Sequence, residues 1–223
     1  EWQVTVGETT FGGREEMADS TGIIDYGSLI YIALQRSKTA REALLVMTSL
    51  AEQYGYYSEG ETFSVADKDE AWMLEMMGCG PDRTKEQGRV VWVAVRIPDN
   101  AIAAHANQSR ITKFLDGRYV QIKAKDLLNP KAFAKAERNA QKQNAQSIML
   151  CSDNVVSYAR AMGWFEGKDA DFSYNAAYAF PDFSGRRYCE ARVWSFFNRF
   201  ADDFSEYVPY AAGIEPNTKE MPL

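Results

Sequence analysis

Apolar residues along the chain recur with two periods, and the shorter one predicts strands. Residues 2–6 alternate between polar and apolar side chains, as strand residues do. The polar, glycine-rich stretch 7–13 is expected to form a loop after this strand. Residues 61–66 and 71–76 flank a short acidic turn, and this arrangement predicts a β-hairpin.

A second hairpin is expected where residues 89–96 and 101–105 flank a turn that begins at Pro98. Two consecutive hairpins indicate an antiparallel sheet. The full order of strand, helices, hairpins and helices predicts an α+β fold in which helices cover a sheet.

The longer period, with apolar residues three and four positions apart, predicts helices. Residues 26–36 are apolar almost all round, which is typical of a helix buried between layers. Thr39 and Glu42 match a capping box for the next helix, and Gly55 is suited to end it.

Three further helices are expected in the second half of the chain. Asn129 and Pro130 mark the start of one that reaches residue 143, and residues 152–154 are suited to cap another through residue 161. Residues 163–180 are interpreted as a loop with aromatic anchors. The last helix is expected over 188–204 with an inward face of Val193, Trp194, Phe197 and Phe200.

Composition narrows the class of protein. The 223 residues are 46% hydrophobic, which is enough for a core, and the formal net charge is −6. A protein that coats nucleic acid needs a surplus of cations, so this class is excluded. No apolar run reaches the roughly 18 residues of a membrane-spanning helix. One histidine and three cysteines leave little room for a zinc cluster, and no metal site is predicted.

Cysteine chemistry has no local motif in this chain. The three cysteines form no CxxC pair, and Cys79 fits the turn that follows a strand. A nucleophilic Cys79–His105 dyad is the alternative to a structural role for both residues.

Two polar residues suit catalysis by their chemistry. The amide of Asn107 can donate a hydrogen bond to a developing oxyanion, or it can satisfy the backbone of a turn. The guanidinium of Arg192 can orient a nucleophile or a carboxylate, or it can pair with Glu190 or Asp203.

Several segments, in order along the chain, resemble one enzyme family. They are Trp-Gln-Val leading to Gly-Glu-Thr-Thr-Phe-Gly-Gly (2–13), Glu-Thr-Phe-Ser-Val-Ala-Asp (61–67), Val-Trp-Val-Ala-Val-Arg-Ile-Pro-Asp (91–99), His-Ala-Asn-Gln-Ser-Arg (105–110), Arg-Val-Trp (192–194) and Glu-Pro-Asn-Thr (215–218). Together they resemble the cysteine dipeptidases of the dipeptidase A type, which are N-terminal-nucleophile hydrolases. The resemblance extends over essentially the whole chain.

The resemblance implies an αββα sandwich and a peptide-bond hydrolase that needs no cofactor. In this family a cysteine at the mature N-terminus attacks the peptide carbonyl of a dipeptide, and its own α-amino group serves as the base. Asn107 looks like the family's asparagine near the nucleophile and oxyanion, and Arg192 like its late, helix-borne arginine. Glu8 and Thr9 look like part of its oxyanion-hole loop and are expected to bind substrate, with Glu8 suited to an α-ammonium group.

The sequence departs from the family at the nucleophile, because Glu1 is not cysteine and no internal cysteine matches. We therefore expect residues 1–223 to be a single domain, the central and incomplete part of a longer hydrolase whose other segments are its partners. This chain alone is expected to be inactive and to self-associate through exposed sheet edges. The alternatives are another amide hydrolase of the superfamily and a non-catalytic binding or assembly module. The cellular compartment is not determined.

Overall fold

The computed structural model describes residues 2–179, 182–200, 203–212 and 221. Within them one sheet has six strands, in the spatial order β1-β2-β3-β4-β6-β5. All neighbouring strands are antiparallel except the parallel pair β5 and β6. The strands are β1 (Thr5–Phe11), β2 (Gly60–Ala66), β3 (Ala71–Gly78), β4 (Val90–Ile97), β5 (Tyr119–Gln121) and β6 (Ser147–Cys151).

Seven α-helices lie in the described residues: α1 (Tyr26–Arg36), α2 (Ala40–Tyr54), α3 (Pro130–Gln143), α4 (Val155–Ala161), α5 (Tyr174–Tyr178), α6 (Ala191–Phe200) and α7 (Val208–Ala211). A π-helix, Gly185–Glu190, leads directly into α6. Single 3-10 turns cover Glu15–Met17, Ala124–Asp126, Asp169–Asp171 and Ser205–Tyr207.

Helices pack on both faces of the sheet and define two cores. On one face, residues of α1, α2 and α3 pack with Trp72 and Trp92 of the sheet. On the other, residues of α4 and α5 pack with Val91 and Val93. The α+β class is confirmed. The αββα sandwich has two sheets, whereas the described residues form one, so the four-layer arrangement belongs to the proposal below.

The prediction of the first hairpin is confirmed, whereas the prediction of the second hairpin is wrong. Strands β2 and β3 pair with Ala66 opposite Ala71. Strand β4, in contrast, pairs with β3 on one edge and with β6 on the other. Residues 101–105 therefore cannot pair with β4 as predicted, and they form no strand. The predicted loop at 7–13 is also wrong, because β1 continues through Phe11 and pairs with β2 along its whole length.

Helix boundaries are mostly confirmed, whereas two predictions of burial are wrong. Helix α1 covers 26–36 but lies at the surface, because Leu29 and Ala33 are buried while Tyr31 is 67% exposed. In α6, Val193 and Phe197 face inward and Trp194 is half-buried. Phe200 is 66% exposed, and the helix does not reach residue 204, because residues 203 and 204 are not helical.

Capping differs in detail from the predicted patterns. The Thr39 hydroxyl accepts from the Glu42 N–H as expected, but the Glu42 carboxylate accepts from the Lys38 N–H, one residue before the cap. Asn129 caps α3 as predicted. Asn154 does not cap α4 with its side chain, because its amide donates to the carbonyl groups of residues 87 and 90. The stretch 163–179 contains α5, and Phe180 lies outside the described residues.

Candidate active site

Asn107 lies in a bend between β4 and β5, with left-handed backbone geometry (φ +58°). Asparagine tolerates this region better than most residues, which explains its place in the bend. Its amide Nδ2 donates to the Thr10 carbonyl oxygen at 2.7 Å. Asn107 therefore satisfies the backbone of a distant strand, β1, instead of the turn that it occupies.

Arg192, in the first turn of α6, contacts Asn107 directly. Its Nη2 donates to the Asn107 Oδ1 at 2.9 Å and to the Ala106 carbonyl at 3.0 Å, and its Nε donates to the Tyr188 carbonyl at 2.8 Å. The fold thus joins two predicted catalytic residues that are 85 positions apart. Arg192 does not pair with the expected acids. The Glu190 carboxylate pairs with Arg110, and an Asp203 oxygen accepts from the Ser205 N–H.

Hydrogen-bond donors remain available at this pair. Asn107 uses one of its two amide N–H groups, and Arg192 uses Nε and Nη2. Across the described ranges, neither the second amide N–H of Asn107 nor the Nη1 group of Arg192 has a hydrogen-bond partner. Such donors can stabilise negative charge on a ligand oxygen.

The buried carboxylate of Glu75, on β3, accepts hydrogen bonds from the segment that follows Asn107. Its oxygens accept from the Ser109 hydroxyl at 2.5 Å and from the N–H groups of Arg110 and Ile111. The Thr62 hydroxyl donates to it at 3.3 Å. Burial raises the pKa of Glu75 to about 7 despite these hydrogen bonds.

Glu75 is not among the residues that the sequence predicts for the site. The available signal was a carboxylate inside an otherwise apolar strand, Ala-Trp-Met-Leu-Glu-Met-Met-Gly. Buried charges are retained where they meet several donors, so this position indicates a structural network.

Thr9 lies at a second polar cluster with His105. The Thr9 hydroxyl is 2.7 Å from the Nδ1 of His105, and the Ser64 hydroxyl is 2.7 Å from its Nε2. Desolvation lowers the pKa of His105 to about 4, so the ring is neutral at pH 7. A neutral ring donates through one nitrogen and accepts through the other, and both hydroxyls are thereby satisfied.

Glu8 lies on the opposite face of β1 from Thr9, because successive strand residues alternate. Across from β1, the Glu61 carboxylate accepts hydrogen bonds from the Thr10 and Tyr56 hydroxyls at 3.3 Å. Burial and a hydrogen bond with the Glu8 carboxylate raise the pKa of Glu61 to about 8. The two predicted substrate-binding residues are therefore separated by the sheet, and only Thr9 is on the side of His105.

The Cys79–His105 dyad is wrong. The Cys79 thiol is buried beside the Asn154 amide and the Gln87 carbonyl, whereas both ring nitrogens of His105 meet hydroxyl groups. Burial raises the pKa of Cys79 to about 12, which is the reverse of what a nucleophile needs. Burial also raises the pKa of Cys151 to about 12.

A cavity of about 560 Å³ opens beside Asn107. The turn after β1, the bend at 107–108 and the π-helix form its walls. Its lining includes Gly13, Arg14, Asn107, Asp182 and Cys189. Because β1 ends at Phe11, the turn at 12–13 forms part of this wall instead of the longer loop that the sequence predicted.

The described residues contain neither a metal-binding cluster nor a membrane-spanning helix. No group of three or more histidine, cysteine, aspartate or glutamate side chains is arranged to hold a metal ion there. No helix in the same ranges is long and apolar enough to cross a membrane.

The sequence of the chain also matches a known protein family. The family described as Peptidase family C69 matches residues 1–223. A probable dipeptidase of Salmonella dublin is 25% identical over 200 residues, which cover 86% of this chain and 37% of that protein. A probable dipeptidase B of Lactococcus lactis subsp. lactis is 34% identical over 86 residues, 39% of this chain and 16% of that protein.

A probable dipeptidase A of Streptococcus pyogenes is 30% identical over 112 residues, which cover half of this chain and 21% of that protein. All these matches cover well under half of the curated relatives, at most 37% of their length.

Proposed function

The chain belongs to peptidase family C69, and on that premise we propose that the protein containing it is a dipeptidase. The relatives are named as probable dipeptidases, which supports a dipeptide as substrate. The observation that carries the proposal is the Asn107–Arg192 contact, which leaves donors available at a cavity wall.

The proposed reaction is acyl transfer to a thiol. An N-terminal cysteine outside this chain attacks the carbonyl carbon of the peptide bond, and its α-amino group accepts the thiol proton. Asn107 donates its second amide N–H to the oxygen that becomes negative. Arg192 donates to the Asn107 side-chain Oδ1 and thereby fixes the plane of the amide. The peptide nitrogen then leaves with a proton, and water hydrolyses the thioester.

Cys189 is the rival thiol, because it lines the same cavity as Asn107. The experiment is hydrolysis of free dipeptides by the complete protein, with Cys189→Ala and an alanine in place of its N-terminal cysteine as the two variants. We expect Cys189→Ala to keep its activity and the N-terminal variant to lose it. The reverse pattern would assign the chemistry to Cys189, and a complete protein that cleaves no dipeptide would overturn the proposal.

The same proposal includes an αββα sandwich, in which a second sheet from the rest of the protein packs on this one. The described sheet has α1–α3 on one face, as one half of that arrangement does, and the second sheet would pack on the opposite face beside α4 and α5. A structure of the complete protein tests it, and a single-sheet fold would contradict it.

A further inference from the structure

Two described residues of opposite charge line the cavity beside Asn107 and do not pair with each other. Of the described residues that line it, only Arg14 and Asp182 carry a formal charge at neutral pH. Among the described residues no carboxylate lies within 4.0 Å of the Arg14 guanidinium, and the same residues offer Asp182 no cationic partner.

Arg14 is fixed in place but keeps donors for a ligand. Its Nε donates to the Ala177 carbonyl at 2.6 Å, and its guanidinium lies 4.3 Å from the centre of the Trp164 ring. These contacts leave both Nη groups without a hydrogen-bond partner in the described part of the chain. A carboxylate is the ligand that such a planar, pre-positioned fork binds best.

Asp182 lines the same cavity as Arg14 and is held by a backbone contact. One oxygen, Oδ1, accepts from the Gly185 N–H at 2.7 Å, and the other oxygen has no partner in the described ranges. Gly185 packs closely on Gln108, because a Cβ at 185 would lie 2.4 Å from the Gln108 Oε1. Gln108 in turn donates to the Ala179 carbonyl at 2.6 Å, so the wall that holds Asp182 is closely packed.

We propose that this cavity recognises both ends of a zwitterionic dipeptide, with Arg14 binding the α-carboxylate and Asp182 the α-ammonium group. The inference rests on the proposed function and adds to it the residues that select free dipeptides. The cavity volume of about 560 Å³ leaves room for a dipeptide of two small residues. In the proposed complex, Asn107 on the same lining contacts the peptide bond between the two charged ends.

This arrangement selects substrates by charge. A blocked N-terminus leaves Asp182 without its ammonium partner, and an amidated C-terminus leaves Arg14 without its carboxylate. Each loss removes one charge-assisted hydrogen-bonded pair and leaves a protein charge at the cavity unpaired.

The test compares alanyl-alanine, its C-terminal amide and its N-acetyl derivative as substrates of the complete protein. We expect the wild type to prefer the free dipeptide over each blocked form by at least about tenfold in kcat/KM, which corresponds to about 1.4 kcal/mol. We expect Arg14→Gln to reduce kcat/KM on the free dipeptide about 10- to 100-fold and to abolish discrimination against the amide. Asp182→Asn is expected to abolish discrimination against the N-acetyl form only.

Arg138→Gln and Asp82→Asn are the matched controls, because both residues are exposed and lie outside the cavity lining. Arg14→Lys keeps the positive charge but lacks the planar guanidinium. We expect this variant to retain part of the preference for the free dipeptide over its C-terminal amide. It also serves as the test if Arg14→Gln fails to fold. If the wild type cleaves dipeptides while both cavity variants keep its substrate ratios, the inference is overturned and the proposed function stands. If the wild type cleaves none, the proposed function itself fails.

Discussion

Arg110 and Glu190 form an ion pair that is almost fully buried, with side chains 3% and 0% exposed. Arg110 follows the bend that holds Asn107, and Glu190 ends the π-helix that precedes Arg192. The pair therefore joins the two segments that bring the proposed oxyanion donor and its supporting guanidinium together.

Removing either member of this ion pair is expected to lower the free energy of unfolding. Arg110→Met leaves a buried carboxylate and Glu190→Leu leaves a buried guanidinium, and each variant is expected to lose about 3–5 kcal/mol of unfolding free energy. The double variant Arg110→Met/Glu190→Leu is expected to recover part of that loss. Urea unfolding of the four proteins gives the coupling energy. Strictly additive losses would show that the two residues act independently.

Asn107→Gly is expected to lower kcat on dipeptides about 10²–10³-fold in the complete protein. Glycine keeps the positive φ of the bend and removes the whole side-chain amide, so the loss reports the free donor together with the hydrogen bonds to Thr10 and Arg192. Asn144→Gly is the matched control, since Asn144 also has positive φ (51°) at the end of α3, away from the cavity. Equal activities of the two variants would exclude Asn107 from catalysis.

Glu75→Gln is expected to cost about 1–3 kcal/mol of unfolding free energy at pH 5, because the amide has two N–H donors, against one O–H of the protonated carboxyl, among groups that themselves donate. The pKa of Glu75 is about 7 in the folded protein, above the ordinary 4.5. Wild-type stability therefore falls as pH rises from about 4.5 to 7, whereas the variant does not titrate.

The stability gap between wild type and Glu75→Gln should accordingly narrow across this pH window in urea titrations. Glu86→Gln serves as the control, because Glu86 is exposed. A constant gap from pH 4.5 to 8 would refute the raised pKa.

His105 should make the protein sensitive to mild acid. Its folded pKa of about 4 lies below the ordinary 6.5, so the unfolded chain binds the proton first. The stabilisation from neutral His105 is complete above pH 6.5 and is lost as pH falls toward 4, by on the order of 2–3 kcal/mol.

His105→Gln retains a donor and an acceptor for Thr9 and Ser64 but does not titrate in this range. We expect denaturant midpoints of this variant to change less between pH 7 and pH 4.5 than those of the wild type. Identical pH profiles would mean that the ring is solvated and that its pKa is ordinary.

Local features of the fold were predictable from sequence because their causes are local. The hydroxyl of Thr39, the carboxamide of Asn129 and the positive φ of Gly55 determine helix ends within a few residues. The hairpin of β2 and β3 is likewise determined by two apolar runs and one short turn. Asn107 and Arg192 are candidates by the chemistry of their side chains and by the resemblance of the chain to a known family.

Other features were decided only by tertiary structure, because they depend on which edges and faces are already occupied. Residues 101–105 have a strand-like pattern, but β6 takes the edge of β4 that they would need. Phe200 is apolar yet exposed, since no described element covers that side of α6.

The sequence by itself determined the secondary structure that local interactions stabilise and, through its motifs, the family. The meeting of Asn107 with Arg192, the network under Glu75 and the charged cavity at Arg14 arise from contacts between residues far apart in the chain. No short-range preference encodes such contacts, because their free energy exists only once the sheet has brought the segments together.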